Sequence, residues 1–142
     1  MANGVLENLY HVAIAVNNLS EVEKIYETAL GLKVVHREVV EDQKVSTSML
    51  VPKDGGTAIE LLEPISEDSP ISKFLEKRGE GIHHICYKVD DIESVLARLK
   101  EQGVRLIDET PREGAYNSRV AFIHPKAMNG VLIELAEINK AD

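Results

Sequence analysis

The sequence predicts an α+β fold of two tandem βαβββ modules, because one order of patterns occurs twice along its 142 residues. Residues 10–16 and 83–89 are similar in sequence, and in both the apolar residues alternate as they do in a strand. Each segment is followed by an amphipathic helical segment that ends at a glycine, and then by three strand-like segments. We therefore expect one domain over residues 1–142, made of a first module at about 7–64, a linker helix at 65–80 and a second module at about 81–138.

In the first module, the opening strand places three bulky apolar residues on one face and His11, with two alanines, on the other. The helix after it is expected to begin at Ser20, where Glu23 would complete a capping box, and to stop at Gly31. Because bulky apolar residues mark the face that packs against helices, His11 should point away from the helix. Strands are expected over residues 33–40, 45–51 and 57–63.

The second module repeats this design. Its opening strand places His84 on the face opposite the bulky residues, and its helix is expected to run from Asp90, paired with Glu93, to Gly103. A short helix that begins after Ser69 links the modules. The strands that follow the second helix are expected over residues 104–107, 119–124 and 131–138.

Composition and charge restrict the class of protein. The net charge of −8 argues against nucleic-acid binding, which normally shows a basic patch. No apolar run reaches the roughly 20 residues that span a bilayer, and the first residues lack the pattern of a secretion signal. A single cysteine, Cys86, cannot form an intramolecular disulfide. We therefore expect a cytoplasmic protein with no membrane or nucleic-acid partner.

Two glutamates repeat the spacing of the two histidines. Glu60 follows His11 by 49 residues (60 − 11), and Glu134 follows His84 by 50 (134 − 84). Both glutamates lie in apolar segments, where an unpaired carboxylate is costly to bury. Two imidazoles and two carboxylates suit a divalent ion with open positions for water or substrate. Alternation places all four on the face away from the helices, beside three small residues, Ala13, Ala15 and Cys86.

The remaining histidines and the cysteine are interpreted as structural. His83 has the opposite parity to His84 and is expected to pack in the fold. His36 and His124 lie near strand ends and have no duplicated partner. Cys86 is expected to be a small core or cavity residue, because no activating base stands near it in the sequence.

Six segments resemble the vicinal oxygen chelate superfamily and, within it, the methylmalonyl-CoA epimerase family. The resemblance extends from about residue 9 to residue 138. Its most diagnostic parts are the Asp-Ser-Pro-Ile linker and the His-Pro-Lys segment, since other members of the superfamily share the ligands. The six segments are residues 11–16, 59–64, 68–71, 83–86, 124–126 and 130–135.

The resemblance implies a cup-shaped metal site formed by the curved mixed sheets of the two modules. It implies epimerisation of (2R)- and (2S)-methylmalonyl-CoA, a step in propionate metabolism, by α-proton abstraction and a metal-stabilised enolate. It makes Glu134 the candidate base and a homodimer the expected assembly. The implied ligands of the divalent ion, which could be Co, Mn, Ni or Zn, are His11, Glu60, His84 and Glu134.

A second base is needed to exchange protons on both faces of a planar intermediate, and the resemblance does not supply it. Some family members have a glutamate on the third strand at the position of Thr47, and the loop at Tyr116 and Asn117 also departs from the family pattern. Both segments border the substrate in the family. The candidate contacts of a methylmalonyl-CoA-like thioester in these two segments are Gln43, Lys44, Thr47, Tyr116 and Asn117. Lys126, which could supply charge for a CoA phosphate or the substrate carboxylate, is a sixth candidate.

Two other functions share this pattern. A glyoxalase I-type lactoylglutathione lyase can have the same ligands, but the two diagnostic segments argue against it. A metal-free ligand-binding module of the same fold would lack the ligands, and here all four are present. The sequence therefore favours the epimerase.

Overall fold

The computed structural model describes residues 6–139, which fall into two compact units. One unit comprises residues 11–83, and the other comprises the described residues 6–10 and 84–139. Both unit boundaries lie inside strands, the first in β1 (Leu6–Ala15) and the second in β5 (Gly81–Val89). We call the unit of residues 11–83 the first unit and the other the second unit.

After β1, the elements of the first unit are α1 (Leu19–Leu30), β2 (Lys33–Val40), β3 (Val45–Val51), β4 (Ala58–Pro64) and α2 (Pro70–Arg78). The strand order is β2-β3-β4-β1, in which β1 runs parallel to β4 and the other neighbours are antiparallel. A 3-10 helix at Glu41–Gln43 connects β2 to β3.

Alternation along these strands separates two apolar clusters. The cluster around α1 contains Val16, Leu50 and Leu61, with Ile14 and Ile59 packed against it. The cluster around α2 lies on the opposite face and contains Ala13, Ala15, Val45, Leu62 and Ile71. The expected division of β1 into a bulky face toward α1 and a small face is therefore confirmed.

The second unit repeats the arrangement. Its elements after β5 are α3 (Ile92–Glu101), β6 (Arg112–Gly114), β7 (Ser118–Ile123) and β8 (Ile133–Ile138). The strand order is β5-β8-β7-β6, in which β5 runs parallel to β8. Helix α3 packs on a cluster that includes Val89, Ile92, Leu96 and Leu135.

The strand expected over residues 104–107 was wrong. Only Leu106 makes a bridge there, opposite Ile123, and the strand that follows α3 is β6. The side chain of Asp108 accepts a hydrogen bond from Phe122 N at 2.8 Å. In a regular strand pairing this N–H group would donate to a backbone carbonyl of the neighbouring strand, so the side-chain hydrogen bond replaces a backbone one. Val131 was also wrongly placed in the last strand, since β8 begins at Ile133 and Val131 is exposed.

The caps of α1 and α3 lie beside the residues expected. Asn18, two residues before Ser20, caps α1, and its side chain accepts a hydrogen bond from Glu21 N at 3.1 Å. Asp91 replaces Asp90 as the cap of α3. Ser69 caps α2 as the sequence predicts, with Pro70 in its first turn.

Glu23 does not complete a capping box, because it binds Arg37 of β2 in a bidentate pair. Arg37 Nε and Nη2 donate to the two carboxylate oxygens at 2.8 and 2.9 Å, and Glu23 is buried. These hydrogen bonds lower the pKa of the Glu23 carboxyl. The pair fastens α1 to the sheet.

Among residues 6–139, none of the helices is long and apolar enough to cross a bilayer.

Candidate metal centre

In the first unit, His11 and Glu60 form a buried pair. His11 Nε2 lies 3.2 Å from Glu60 Oε1, and the two residues are 4% and 5% exposed. Parallel pairing of β1 with β4 sets this contact, because Ala13, two residues after the histidine, lies opposite Glu60. His11, Ala13 and Glu60 therefore share the face of the sheet that points away from α1.

In the second unit, His84 and Glu134 form the equivalent pair. His84 Nε2 lies 3.0 Å from Glu134 Oε1, and the residues are 5% and 8% exposed. Cys86, two residues after the histidine, lies opposite Glu134 in the parallel pairing of β5 with β8. The Phe122 ring meets the His84 ring edge to face at a centroid distance of 5.3 Å.

The same register in both units confirms the strand parity expected from the sequence. In each unit a glutamate on the last strand lies across from the residue two positions after the histidine. In each pair, an imidazole nitrogen and a carboxylate oxygen lie side by side in a buried position. The residues that face the glutamates, Ala13 and Cys86, are small. Nitrogen and oxygen donors of this kind fit a divalent transition-metal ion, which would also offset the charge of the buried carboxylates.

Comparisons with known proteins identify the family. Residues 10–122 match the model of the Glyoxalase/Bleomycin resistance protein/Dioxygenase superfamily. The ethylmalonyl-CoA/methylmalonyl-CoA epimerase of Cereibacter sphaeroides is 42% identical over 94% of this chain and 100% of its own. The crystal structure of methylmalonyl-CoA epimerase from Mycobacterium tuberculosis superposes with a TM-score of 0.93 at 42% identity, covering 99% of this chain and 93% of that one.

The chain belongs to the methylmalonyl-CoA epimerase family. A further solved structure, a methylmalonyl-CoA epimerase in complex with methylmalonyl-CoA and NH4+, has a TM-score of 0.90 at 37% identity and covers 97% of this chain and 99% of its own. The resemblance stated from the sequence is thus confirmed, as are the α+β fold class and the assignment as an epimerase.

Gln43 and Lys44, two candidate substrate contacts of this family member, lie at the turn between β2 and β3. The carbonyl of Gln43 accepts a hydrogen bond from Ser69 Oγ at 3.1 Å, and Lys44 pairs with Asp68. The hydrogen bond from Lys44, and next that from Ser66, lowers the pKa of the exposed Asp68 carboxyl to about 2. The turn is therefore fastened to the start of α2.

Thr47 lies on the same face of the first unit's sheet as Glu60. It is 2% exposed, and its hydroxyl donates to the carbonyl of Glu38 at 3.1 Å. Thr47 pairs with Leu62, two residues after Glu60 on β4, and with Glu38 on β2. The structure thus places a neutral hydroxyl at the position where the family resemblance described above gives a glutamate in some members.

The other candidate contacts lie in the second unit. Tyr116 and Asn117 form the turn between β6 and β7, both at positive φ (62° and 56°), and the Asn117 carbonyl accepts a hydrogen bond from Asn139 N at 3.0 Å. Lys126 lies in the 3-10 helix Pro125–Met128, and its backbone N–H donates to His124 Nδ1 at 3.1 Å. Desolvation, and then the charges of Arg105 and Lys126, lowers the pKa of His124.

The structure shows one pair that the sequence interpretation missed. His83 packs edge to face on Phe74 as expected, with the ring centroids 5.0 Å apart. His36 is different, because its Nε2 lies 3.0 Å from Glu38 Oε1 on the same face of β2. The two-residue spacing of His36 and Glu38 was a visible signal of a shared face, but His36 has no duplicated partner of the kind that drew attention to the candidate metal ligands.

Proposed function

We propose that this epimerase interconverts (2R)- and (2S)-methylmalonyl-CoA and depends on a divalent metal ion. The observation that carries the proposal is that both units contain a His–Glu pair in the same register. The distance from histidine Nε2 to glutamate Oε1 is 3.2 Å in the first unit and 3.0 Å in the second. The identity of the substrate is inferred from the relatives named as methylmalonyl-CoA epimerases. The proposed ligands of one shared ion, either Co, Mn, Ni or Zn, are His11, Glu60, His84 and Glu134.

The donor set fits such an ion and explains why these groups are buried. When bound, the ion would supply positive charge that stabilises negative charge developing on the oxygens of a chelating substrate. Imidazole and carboxylate in contact also restrict each other's orientation, so each pair is held ready for binding. The apolar surroundings limit access of water to both pairs.

Glu134 is the proposed base for removal of the α-hydrogen. That hydrogen lies between a carboxylate and a thioester carbonyl, which makes it acidic for a C–H group and within reach of general-base catalysis. The Glu134 carboxylate has one oxygen 3.0 Å from His84 Nε2, and this contact fixes the orientation of the carboxylate. Phe122, opposite Glu134 in the antiparallel pairing of β7 and β8, shields the pair.

Substrate contacts, assembly and setting belong to the same proposal. We propose that the acyl thioester lies near six residues, five of them in turns or 3-10 helices and the sixth, Thr47, on β3. We also propose a homodimer that acts in cytoplasmic propionate metabolism. The support is the family resemblance. The six residues are Gln43, Lys44, Thr47, Tyr116, Asn117 and Lys126.

Exchange of the α-hydrogen with solvent tests the proposal directly. Purified protein is stripped of metal, reloaded with Co or Mn, and incubated with racemic methylmalonyl-CoA in deuterated water. Mass spectrometry should show α-deuterium incorporation that requires the metal. The Glu60→Gln variant, which weakens one ligand, should need a higher metal concentration for the same rate.

A second substrate serves as the control. The hemithioacetal of methylglyoxal and glutathione should not be isomerised. If metal-loaded protein isomerises this compound and gives no deuterium exchange above buffer, the epimerase proposal is wrong and a glyoxalase I-type activity replaces it. Protein that takes up neither Co nor Mn would instead indicate a metal-free binding module.

A further inference from the structure

We propose that Glu63 and Glu137 are positioning residues. Each connects the strand that carries a proposed glutamate ligand to the helix that follows the histidine strand of the same unit. The inference rests on the proposed function, because it concerns the alignment of the two His–Glu pairs. Each residue acts through the strand that it holds and not by contact with the ion.

In the first unit the connection is a hydrogen bond from a helix to a side chain, which we call the helix tie. The Glu63 carboxylate, on β4, accepts from Leu19 N at 3.0 Å, and Leu19 is the first residue of α1. Because Glu63 lies three residues after Glu60, strand alternation directs the two side chains to opposite faces. The strand is therefore held on one face by the helix N–H group and on the other by the His11 imidazole.

The second unit has the equivalent helix tie. The Glu137 carboxylate, three residues after Glu134 on β8, accepts from Ile92 N at 3.0 Å, and Ile92 is the first residue of α3. Arg119 Nη2 also donates to the two oxygens of Glu137, at 3.2 and 3.0 Å. This carboxylate therefore connects β7, β8 and α3.

The spacing of the helix ties along the chain is identical in the two units. The donor lies eight residues after the histidine (19 − 11 and 92 − 84). The acceptor lies three residues after the proposed glutamate ligand (63 − 60 and 137 − 134). Each helix tie thus closes a loop of chain of the same length beside its His–Glu pair, and both pairs have the same register.

The apolar pattern of the strands does not by itself determine that register. A slip of one residue would turn every side chain to the wrong face, but a slip of two residues would keep each side chain on its face. A two-residue slip would move Glu60 by about 6.6 Å along β1, at about 3.3 Å per residue, and so out of contact with His11. The same slip would break the hydrogen bond from Leu19 N to Glu63, so the helix tie opposes it.

The helix tie and the helix cap use different donors of the same first turn. Asn18, the cap of α1, accepts from Glu21 N, whereas Glu63 accepts from Leu19 N. A carboxylate is suited to the tie, because negative charge is favourable at the amino end of a helix and strengthens a hydrogen bond to a backbone N–H group. Mutation can therefore remove the tie and the cap separately.

Metal affinity in paired variants tests the inference. Co is titrated into metal-free wild type, Glu63→Ala and Glu63→Gln, and visible absorption gives the dissociation constant. Glu63→Ala should bind Co about 10-fold more weakly, the lower end of the effect seen when groups that orient metal ligands are removed. Glu63→Gln should bind nearly as tightly as wild type, because its amide oxygen still accepts from Leu19 N. If the alanine variant does not fold, Glu63→Asp, whose carboxylate is one methylene shorter, is measured in its place and should also bind more weakly.

Asn18→Ala is the matched control, since it removes the cap of the same helix and leaves the tie. It should lose stability and keep its affinity for Co, measured below its thermal unfolding transition. In a Glu60→Gln background, Glu63→Ala should weaken Co binding by a smaller factor than in wild type, because it acts through that ligand. Equal factors in the two backgrounds would overturn the inference.

A second readout needs no metal. In metal-free protein, the imidazole NMR signals of His11 should shift in Glu63→Ala more than those of His84, and Glu137→Ala should give the reverse. Unshifted signals together with unchanged Co affinity would overturn the inference. If wild type takes up no Co, the metal-dependent function proposed above fails, and the imidazole signals alone decide whether the helix ties position the pairs.

Discussion

At the scale of single residues, burial and chemistry together single out the two His–Glu pairs as candidate metal ligands. A glutamate in a strand is usually solvated, yet Glu60 and Glu134 are 5% and 8% exposed and each contacts an imidazole. Strand parity and duplicated spacing were sufficient to predict these contacts within each unit, because a period of two determines which side chains share a face. The roles of the four residues as ligands remain part of the proposal.

Glu60→Gln and Glu134→Gln should separate ligation from proton transfer. Both variants should weaken Co binding by at least about 10-fold, the lower end of the effect seen when even an outer partner of a ligand is lost. At saturating metal, Glu60→Gln should recover α-deuterium exchange and Glu134→Gln should not, because an amide cannot act as the base. Visible absorption of Co and mass spectrometry measure the two effects. Equal recovery of exchange in both variants would remove Glu134 from the role of base.

The pair that sequence interpretation missed shows the limit at this scale. His36 and Glu38 are partly exposed, and His36 has no duplicated partner in the sequence. Their relation to Glu60 depends on the pairing of β2 with β3 and of β3 with β4, including a register shift between Val34 and His36. Pairing of this kind is a long-range property that local patterns do not encode.

At the scale of elements, the helix caps give a direct test. Asn18→Ala should lower the free energy of unfolding by about 1 kcal/mol, because the first turn of α1 loses the acceptor for Glu21 N. Ser20→Ala is the matched control, since the Ser20 hydroxyl contacts only the Asn18 side chain at 3.2 Å within this turn. Urea unfolding measures both. A larger loss from Ser20→Ala than from Asn18→Ala would contradict the observed cap.

The contact between α1 and β2 should make stability depend on pH. Arg37 lowers the pKa of the Glu23 carboxyl from its ordinary 4.5, so the folded state favours the charged form. The contribution of Glu23 is therefore complete above pH 4.5 and is lost as the pH falls through the lower folded-state value. Wild type should exceed Glu23→Gln in stability at pH 7, and the difference should shrink below pH 4.5.

Denaturant unfolding of both proteins from pH 7 down to pH 3 measures this difference. Because the Arg37 side chain is 63% exposed, salt should reduce the difference as well. A stability difference that grows toward acidic pH would contradict the direction of the pKa shift.

At the scale of the whole molecule, the duplication was the part of the fold most accessible from the sequence. Strands over residues 33–40 and 45–51 were predicted with the bounds observed, because β-branched residues and clear turn signals delimit them. The region after α3 was not predictable in the same way. There the Asp108 carboxylate and the carbonyl of Phe122, distant in sequence, determine where hydrogen bonds form.

The placement of Cys86 has a practical consequence for studying this protein. It is the one cysteine of the chain, is fully buried, and packs with Val120 and Ala136 in the second unit. A thiol reagent can reach it only when that unit opens, so the labelling rate reports an opening equilibrium without any engineered probe.

Labelling by a disulfide reagent should be slow in native protein and fast and stoichiometric in denaturant. Addition of Mn should slow native labelling further, because an ion that binds only the folded state shifts the equilibrium away from the open form. Cys86 lies opposite Glu134, so opening of β5 would also separate His84 from its carboxylate. Fast native labelling, unchanged by metal, would contradict both the burial of the thiol and the proposed site. Cys86 would thus report the proposed binding of a metal ion without any substrate or turnover.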